Sequence, residues 1–328
     1  MSTPPEAPTA PPPAPLWKRL LPWLLTAVCF GWLYTRIDAA AARQGETAIS
    51  YLLAVFARVS WGQWLALMIP YSAFFFLVDS TVVWRVVTWF NAPVKWTDIL
   101  PVRASAYIIS ILNEQVGKGA MALYLNRRHG VPGWEVGSSM LFIMFCELLY
   151  LTFWANVGYA IAGDQLPAQF ALVPWIGVGV ATLFAVWVAI FRGALPIAAG
   201  LREKPILKAF RESSPLRYVI VAIIRSPALL AAVIVYTLAL RLFGVEANFI
   251  DMLGVLPVIF FAAAIPTPMR AAAVTIWVVL FPENEAELSA FGLVMHNFFI
   301  FFNATIGLLF LQRANRDMLI ESPAAEQA

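Results

Sequence analysis

The sequence predicts an all-α polytopic membrane protein with about six transmembrane helices plus two re-entrant helical hairpins in an inverted-topology repeat. Three observations predict it. The chain is 61% hydrophobic and only 12% charged, whereas a soluble domain carries roughly 25% charged residues. Several apolar runs approach the roughly 20 residues needed to span hydrocarbon. The runs also recur in order. Segments starting near Leu20, Gln63, Leu100 and Gly137 are followed by segments starting near Phe170, Arg217, Ile250 and Leu288, at offsets of 150, 154, 150 and 151 residues.

Residues 1–16 are rich in Pro and Ala and read as a disordered tail. Lys18 and Arg19 precede the first span, Leu20–Ile37, which places the N-terminus in the cytoplasm. A basic start, an apolar stretch and the run Ala39–Ala42 also fit a cleavable signal peptide. Cleavage would remove the first member of the repeat, so a retained signal anchor is the preferred reading. Residues 49–61 mix apolar and polar positions and suit the membrane interface. The second span, Gln63–Trp84, returns to Arg85 and Lys95 inside.

The segment Leu100–Leu125 is interrupted by NEQVGKG at Asn113–Gly119 and ends at Arg127, Arg128 and His129. Basic flanks at both ends predict a hairpin. Its arms, of about 12 residues, would be roughly 18 Å long, too short for about 30 Å of hydrocarbon. Spans at Gly137–Ala162 and Phe170–Phe191 follow, then the basic stretch 192–217 and a span at Arg217–Phe243. The second broken segment, Ile250–Phe281, carries IPTPMR at Ile265–Arg270 between acidic flanks, so it enters from outside. The last span, Leu288–Leu311, ends inside at Arg313 and Arg316. The expected organisation is repeat 1 over 17–165 with its hairpin at about 100–125, then repeat 2 over 166–312 with its hairpin at about 250–281. A polar cytoplasmic tail covers 313–328. Both termini face the cytoplasm.

Broken segments at matching positions of a repeat point to a binding site at the bilayer midplane. Each break starts a second half-helix whose N-terminus favours anions, and Lys118 and Arg270 stand at those starts. The expected substrate-binding set is Lys118, Arg270, Asn113, Glu114, Gly117, Gly119, Glu147, Thr267, His296 and Asn297. Glu147 lies in mid-span, where it could relay protons or balance Lys118; its repeat mate is Asn297. An alternative reading gives Glu147 a structural, hydrogen-bonded role, and Lys118 and Arg270 the task of holding the hairpin tips. Asp79 and Arg225 fall at similar depth and are expected to form a structural ion pair.

No P-loop, HExxH, GxSxG or Cys/His metal cluster occurs, and Cys29 and Cys146 both lie in apolar runs. The sequence therefore suggests no catalytic residue, metal or cofactor, and no nucleic-acid partner.

Two stretches, RASAYIISILNEQVGKGAMALYLNRRHGVP at Arg103–Pro132 and LPVIFFAAAIPTPMRAAAV at Leu256–Val274, resemble a known family, the flippase-like transmembrane family named for the membrane region of lysylphosphatidylglycerol synthase. Asn113, Gly119, Arg127, Arg128 and Gly130 match the first hairpin pattern, and Pro266 the second. Val116, Ala120 and Met269–Ala271 stand where the family has Pro, Glu and glycines. The resemblance implies lipid movement between leaflets of the cytoplasmic (inner) membrane, with a phospholipid or lipid-linked substrate. Two further readings are an intramembrane lipid-modifying transferase and a non-catalytic partner of an envelope-lipid synthesis complex. Self-association is compatible with each of the three readings.

Overall fold

The computed structural model describes residues 16–112, 114–194, 199–265 and 267–319, and within them every regular element is helical. In chain order these are α1 (Leu16–Ala42), α2 (Ala48–Arg58), α3 (Trp61–Phe90), α4 (Trp96–Leu112), α5 (Glu114–His129), α6 (Gly133–Ala162) and α7 (Val173–Phe191). They continue as α8 (Ala199–Arg202), α9 (Lys208–Glu212), α10 (Pro215–Leu242), α11 (Phe249–Ala264), α12 (Ala271–Leu280) and α13 (Glu285–Leu319). Five helical stretches among the described residues are long and apolar enough to cross a membrane: Trp61–Phe90, Gly133–Ala162, Ala168–Phe191, Pro215–Leu242 and Glu285–Phe310. The segment expected as another span, α1, is a helix of 27 residues outside that set.

Local chemistry accounts for the boundaries. Thr47 and Ser50 form a reciprocal capping box at the start of α2, each side chain accepting from the other's backbone N–H. The helix buries Ala48, Tyr51 and Val55 along one face. The first broken segment begins at Trp96, ahead of the expected Leu100, because two indoles tie its entry to α3. Trp84 Nε1 donates to Val94 O (2.8 Å) and Trp96 Nε1 donates to Thr81 Oγ1 (3.1 Å). Gly130, at φ +64°, ends α5: its N–H reaches Asn126 O and the Val131 N–H reaches Leu125 O. That paired closure needs a left-handed residue.

α3 and α10 run antiparallel. Trp61 meets Phe243 and Tyr71 meets Tyr236, with ring centroids 6.2 and 6.1 Å apart, and Asp79 meets Arg225 at 3.3 Å. Two hydrophobic cores lie along this axis. One gathers α1, α2, the first half of α3, α11, α12 and the first half of α13. The other gathers the second half of α3, α4, α5, the first half of α6 and the start of α10. Each broken segment is thus embedded in its own core, at opposite ends of the axis. At the second end the basic connection docks on α6 and α3. Lys208 Nζ binds Glu135 at 2.5 Å, the Ala209 N–H donates to Ser138 Oγ, and the Arg217 guanidinium lies over the Trp89 and Phe90 rings.

The most extensive helix pairings are α4 with α13 and α6 with α11. Each broken segment therefore lies along the final long helix of the opposite half. Both contacts bring backbone against backbone. A Cβ at Gly158 of α6 would lie 2.3 Å from Gly254 N of α11, and one at Gly307 of α13 would lie 2.4 Å from Ala104 O of α4. Gly158 and Gly307 are 149 residues apart, and Ala104 and Gly254 are 150 apart. We expect Gly158→Val to force α6 off α11 and to destabilise the protein by about 1–3 kcal/mol, the usual range for overpacking. A thermal melt in detergent measures it, and an unchanged midpoint would remove the close contact from the account.

The surface is apolar where a soluble protein would be polar. α7 buries little of itself and exposes Trp175, Ile176 and Val178, as a lipid-facing helix does.

Candidate functional site

The second break is held by strain and by one hydroxyl. After Ile265 the Thr267 N–H turns back to Ile265 O (2.8 Å), and Thr267 O accepts from Arg270 N (3.0 Å). Met269 and Arg270 then adopt φ of +55° and +52°. The left-handed region costs an L-residue roughly 1–2 kcal/mol, which explains physically why glycines suit these positions. The buried Thr267 hydroxyl accepts the N–H of Ala272 at 3.2 Å. It thereby caps the start of α12, and this is the role the structure gives a residue expected to line the substrate site. Met269→Gly is expected to stabilise the fold by about 1 kcal/mol through relief of the left-handed strain, read as a higher melting midpoint.

The same backbone places Arg270 half-buried, within electrostatic reach of Tyr71 of α3, Tyr236 of α10 and His296 of α13. All three are buried, and the Tyr71 and Tyr236 rings meet edge to face at 6.1 Å. Among the described residues no carboxylate pairs with Arg270. His296 is 2% exposed and its Nε2 has no hydrogen-bond partner. Asn303, two turns further along α13, is fully buried with both amide atoms unpartnered, as are the hydroxyls of Ser72 and Ser80 on α3 and Ser105 on α4. Buried polar atoms in proteins are almost always satisfied; these belong to a wider set of unpartnered buried polar atoms spread over most helices of the described residues.

Farther along α3 lies a layer of charge. Asp79 is separated from Tyr71 by eight residues, roughly 12 Å of helix. Its Oδ2 accepts from Arg103 Nε of α4 at 2.6 Å and from Tyr107 Oη at 3.0 Å, and its Oδ1 faces Arg225 of α10 at 3.3 Å. The Arg103 guanidinium also covers the Tyr107 ring at 4.9 Å. Arg225 extends to Glu147 of α6 at 3.7 Å. Four helices meet through this layer, which sums to zero formal charge.

Between the layer and Arg270 stand aromatic contacts. Phe75 and Phe299 pack at 4.6 Å, Tyr71 lies over Phe299 at 6.3 Å, and Phe76 approaches Tyr107 at 6.2 Å.

The expected site residues thus separate. Arg270 and His296 come together, with Tyr71 and Tyr236 as neighbours that the sequence had not singled out. Glu147 belongs to the charge layer, with Arg225 as its partner. Asn297 donates back to Leu293 O at 2.7 Å along its own helix. Gly119 is exposed with open space around it. Asn113 and Pro266 lie outside the described residues, as do the side chains of Glu114 and Lys118 and the surroundings of Gly117. The expected Asp79–Arg225 pair is present, and Arg103 and Tyr107 complete it. Both cysteines are free, and the described residues hold no cluster of potential metal ligands.

Comparison with protein-family models, with curated proteins and with solved structures found no match for this chain.

Proposed function

We propose that this protein is a lipid flippase or lipid transporter that carries an anionic headgroup through the membrane, with Arg270 as its central contact. The observation that supports this reading is the state of Arg270, a half-buried cation with no carboxylate partner among the described residues, on left-handed backbone within electrostatic reach of His296, whose Nε2 has no hydrogen-bond partner. An anionic headgroup satisfies both groups, and Tyr71 and Tyr236 supply hydroxyls to the same space. Intramembrane charge that is not consumed by a partner is the usual mark of a substrate path. Lys118 enters this reading as the first half's counterpart of Arg270.

The reciprocal pairing of α4 with α13 and α6 with α11 supports an inverted repeat, because exchanging the halves exchanges the two pairs. The matched contacts at Gly158/Gly254 and Gly307/Ala104 support it again. On this reading α4–α5 and α11–α12 are re-entrant hairpins entering from opposite faces. Their 17-, 16-, 16- and 10-residue arms are each shorter than the roughly 20 residues a crossing takes. Lys95, Arg127, Arg128, Arg192 and Arg217 all flank segments of the second core, which makes that end cytoplasmic under the positive-inside rule. The chain would then lie in the cytoplasmic membrane with both termini inside. Rocking of one half on the other would expose Arg270 to each side in turn.

The test is reconstitution into phosphatidylglycerol liposomes with a trace of fluorescent phosphatidylglycerol, followed by quenching of outward-facing headgroups. Movement above that of empty liposomes, lost in Arg270→Ala, is the expected result. Equal rates for the two proteins would overturn the site. A new covalent lipid species in the extracts would favour a transferase.

A further inference from the structure

The basic connection between α7 and α10 is folded so that like charges gather. α7 ends its apolar stretch at Phe191, and Arg192 is the first charged residue after it. Gly193, at φ +81°, turns the chain, and the Arg202 guanidinium lies against that turn: a Cβ at Gly193 would stand 3.0 Å from its Nη1. Arg211 Nη1 in turn donates to Arg202 O at 2.9 Å. Arg192 and Arg211 then line one open cleft of about 260 Å³. Phe191, Phe210 and Tyr218 form its buried wall, and Ser213 and Pro215 bring the start of α10 to its edge.

Gathered like charges repel unless an opposite charge offsets them. Among the described residues no carboxylate pairs with Arg192, Arg202 or Arg211. Lys208, in the same connection, does have one, Glu135 at 2.5 Å. Arg202 Nε is buried without an acceptor, and Arg211 gives only one of a guanidinium's five donors to the carbonyl. The start of α10 adds to the positive potential, because its N-cap, Ser214, makes no side-chain bond to this 28-residue helix. The wall is aromatic: Phe210 packs on Phe191 at 5.9 Å and on Trp187 at 5.2 Å, and Tyr218 on Phe184 at 5.2 Å. A free phosphate ion gains nothing from such a wall, whereas an acyl chain does.

We infer that this cleft binds the phosphate of an anionic phospholipid at the membrane surface where α7 ends. Arg192 and Arg211 hold the phosphate, and Arg202 is a positioning residue that fixes Arg211 through its carbonyl. The site is separate from Arg270: Phe191, Phe210 and Tyr218 belong to the second core, whereas Tyr71 and Tyr236 belong to the first. The transport reading is not needed for it. α7 rests on α6 and buries little of itself, so a lipid held here ties its end to α9 and α10.

The test places the full chain in phosphatidylcholine nanodiscs doped with phosphatidylglycerol that carries a photoreactive headgroup, and mass spectrometry locates the crosslinks. They are expected within residues 188–218. Arg192→Gln/Arg211→Gln should reduce them about tenfold, the scale of one lost charge-assisted hydrogen bond. Arg192→Lys/Arg211→Lys, which keeps the charge, should retain most of them. Lys95→Gln/Lys204→Gln removes the same charge from exposed positions outside the cleft and should leave them unchanged. Phosphatidylglycerol should also raise the melting midpoint of the wild-type chain above its value in phosphatidylcholine alone, but not that of the Gln variant. Equal losses in the two Gln variants would reveal a diffuse basic surface and overturn the inference. Displacement by millimolar inorganic phosphate would assign the cleft to a soluble phosphate compound and overturn the lipid. Crosslinks confined to the surroundings of Arg270 would also overturn it, while leaving the transport reading in place.

Discussion

Asp79→Ala is expected to be the most damaging single substitution in this protein, costing about 3–5 kcal/mol, the scale for breaking one side of a buried ion pair. The reason is the number of groups that depend on Asp79. Arg103 loses its 2.6 Å partner, Tyr107 loses its acceptor, and Arg225 is left with only the 3.7 Å contact to Glu147. A buried guanidinium, Arg225, and a half-buried one, Arg103, would then be left with one distant carboxylate, Glu147. Glu147→Ala removes a half-exposed group with a single long contact, so its effect should be several-fold smaller. Melting of the two variants side by side in one detergent decides the matter. Equal midpoints would mean that the layer does not brace the bundle through Asp79.

The second large effect concerns transport. Arg270→Ala is expected to slow headgroup movement by about 10- to 100-fold, since a charge-assisted hydrogen bond is worth roughly 1.5–3 kcal/mol and each 1.4 kcal/mol is tenfold. Stability should not fall with it, because Arg270 has no ion pair to lose among the described residues. Arg270→Gly sharpens the test: it removes the guanidinium and also relieves the left-handed backbone at φ +52°. Its expected signature is lower transport together with a higher melting midpoint. If transport and stability fall together, the residue holds the turn and is not a headgroup contact.

Much of the helical layout could be read before the structure, because apolar runs and their polar interruptions are properties of composition and period. Asp79 and Arg225 could be paired by counting depth along two antiparallel spans. Arg103 could not. The apolar run puts the start of its segment at Leu100, whereas two indole hydrogen bonds to α3 carry the helix back to Trp96 and sink Arg103 well inside it. Tyr71 and Tyr236 look like ordinary aromatics of apolar spans until α3 and α10 are set against each other. Glu147 has Asn297 as its mate by position in the repeat and could be read as a balance for Lys118; among the described residues its partner is Arg225 of α10. One usable signal was overlooked: Gly158 with Gly307 and Ala104 with Gly254 are small residues repeating at the same interval as the spans. Small residues recurring in register mark where backbones meet.

Those backbone contacts have a mechanical consequence. A helix pair locked by interdigitated side chains must climb over its own ridges to slide, whereas two smooth backbone faces meet like a bearing. Each broken segment rests on such a bearing, and the rail it rides belongs to the opposite half of the chain. Along that seam a segment is expected to slide more easily than to lift away, so it keeps its footing on the other half as it moves.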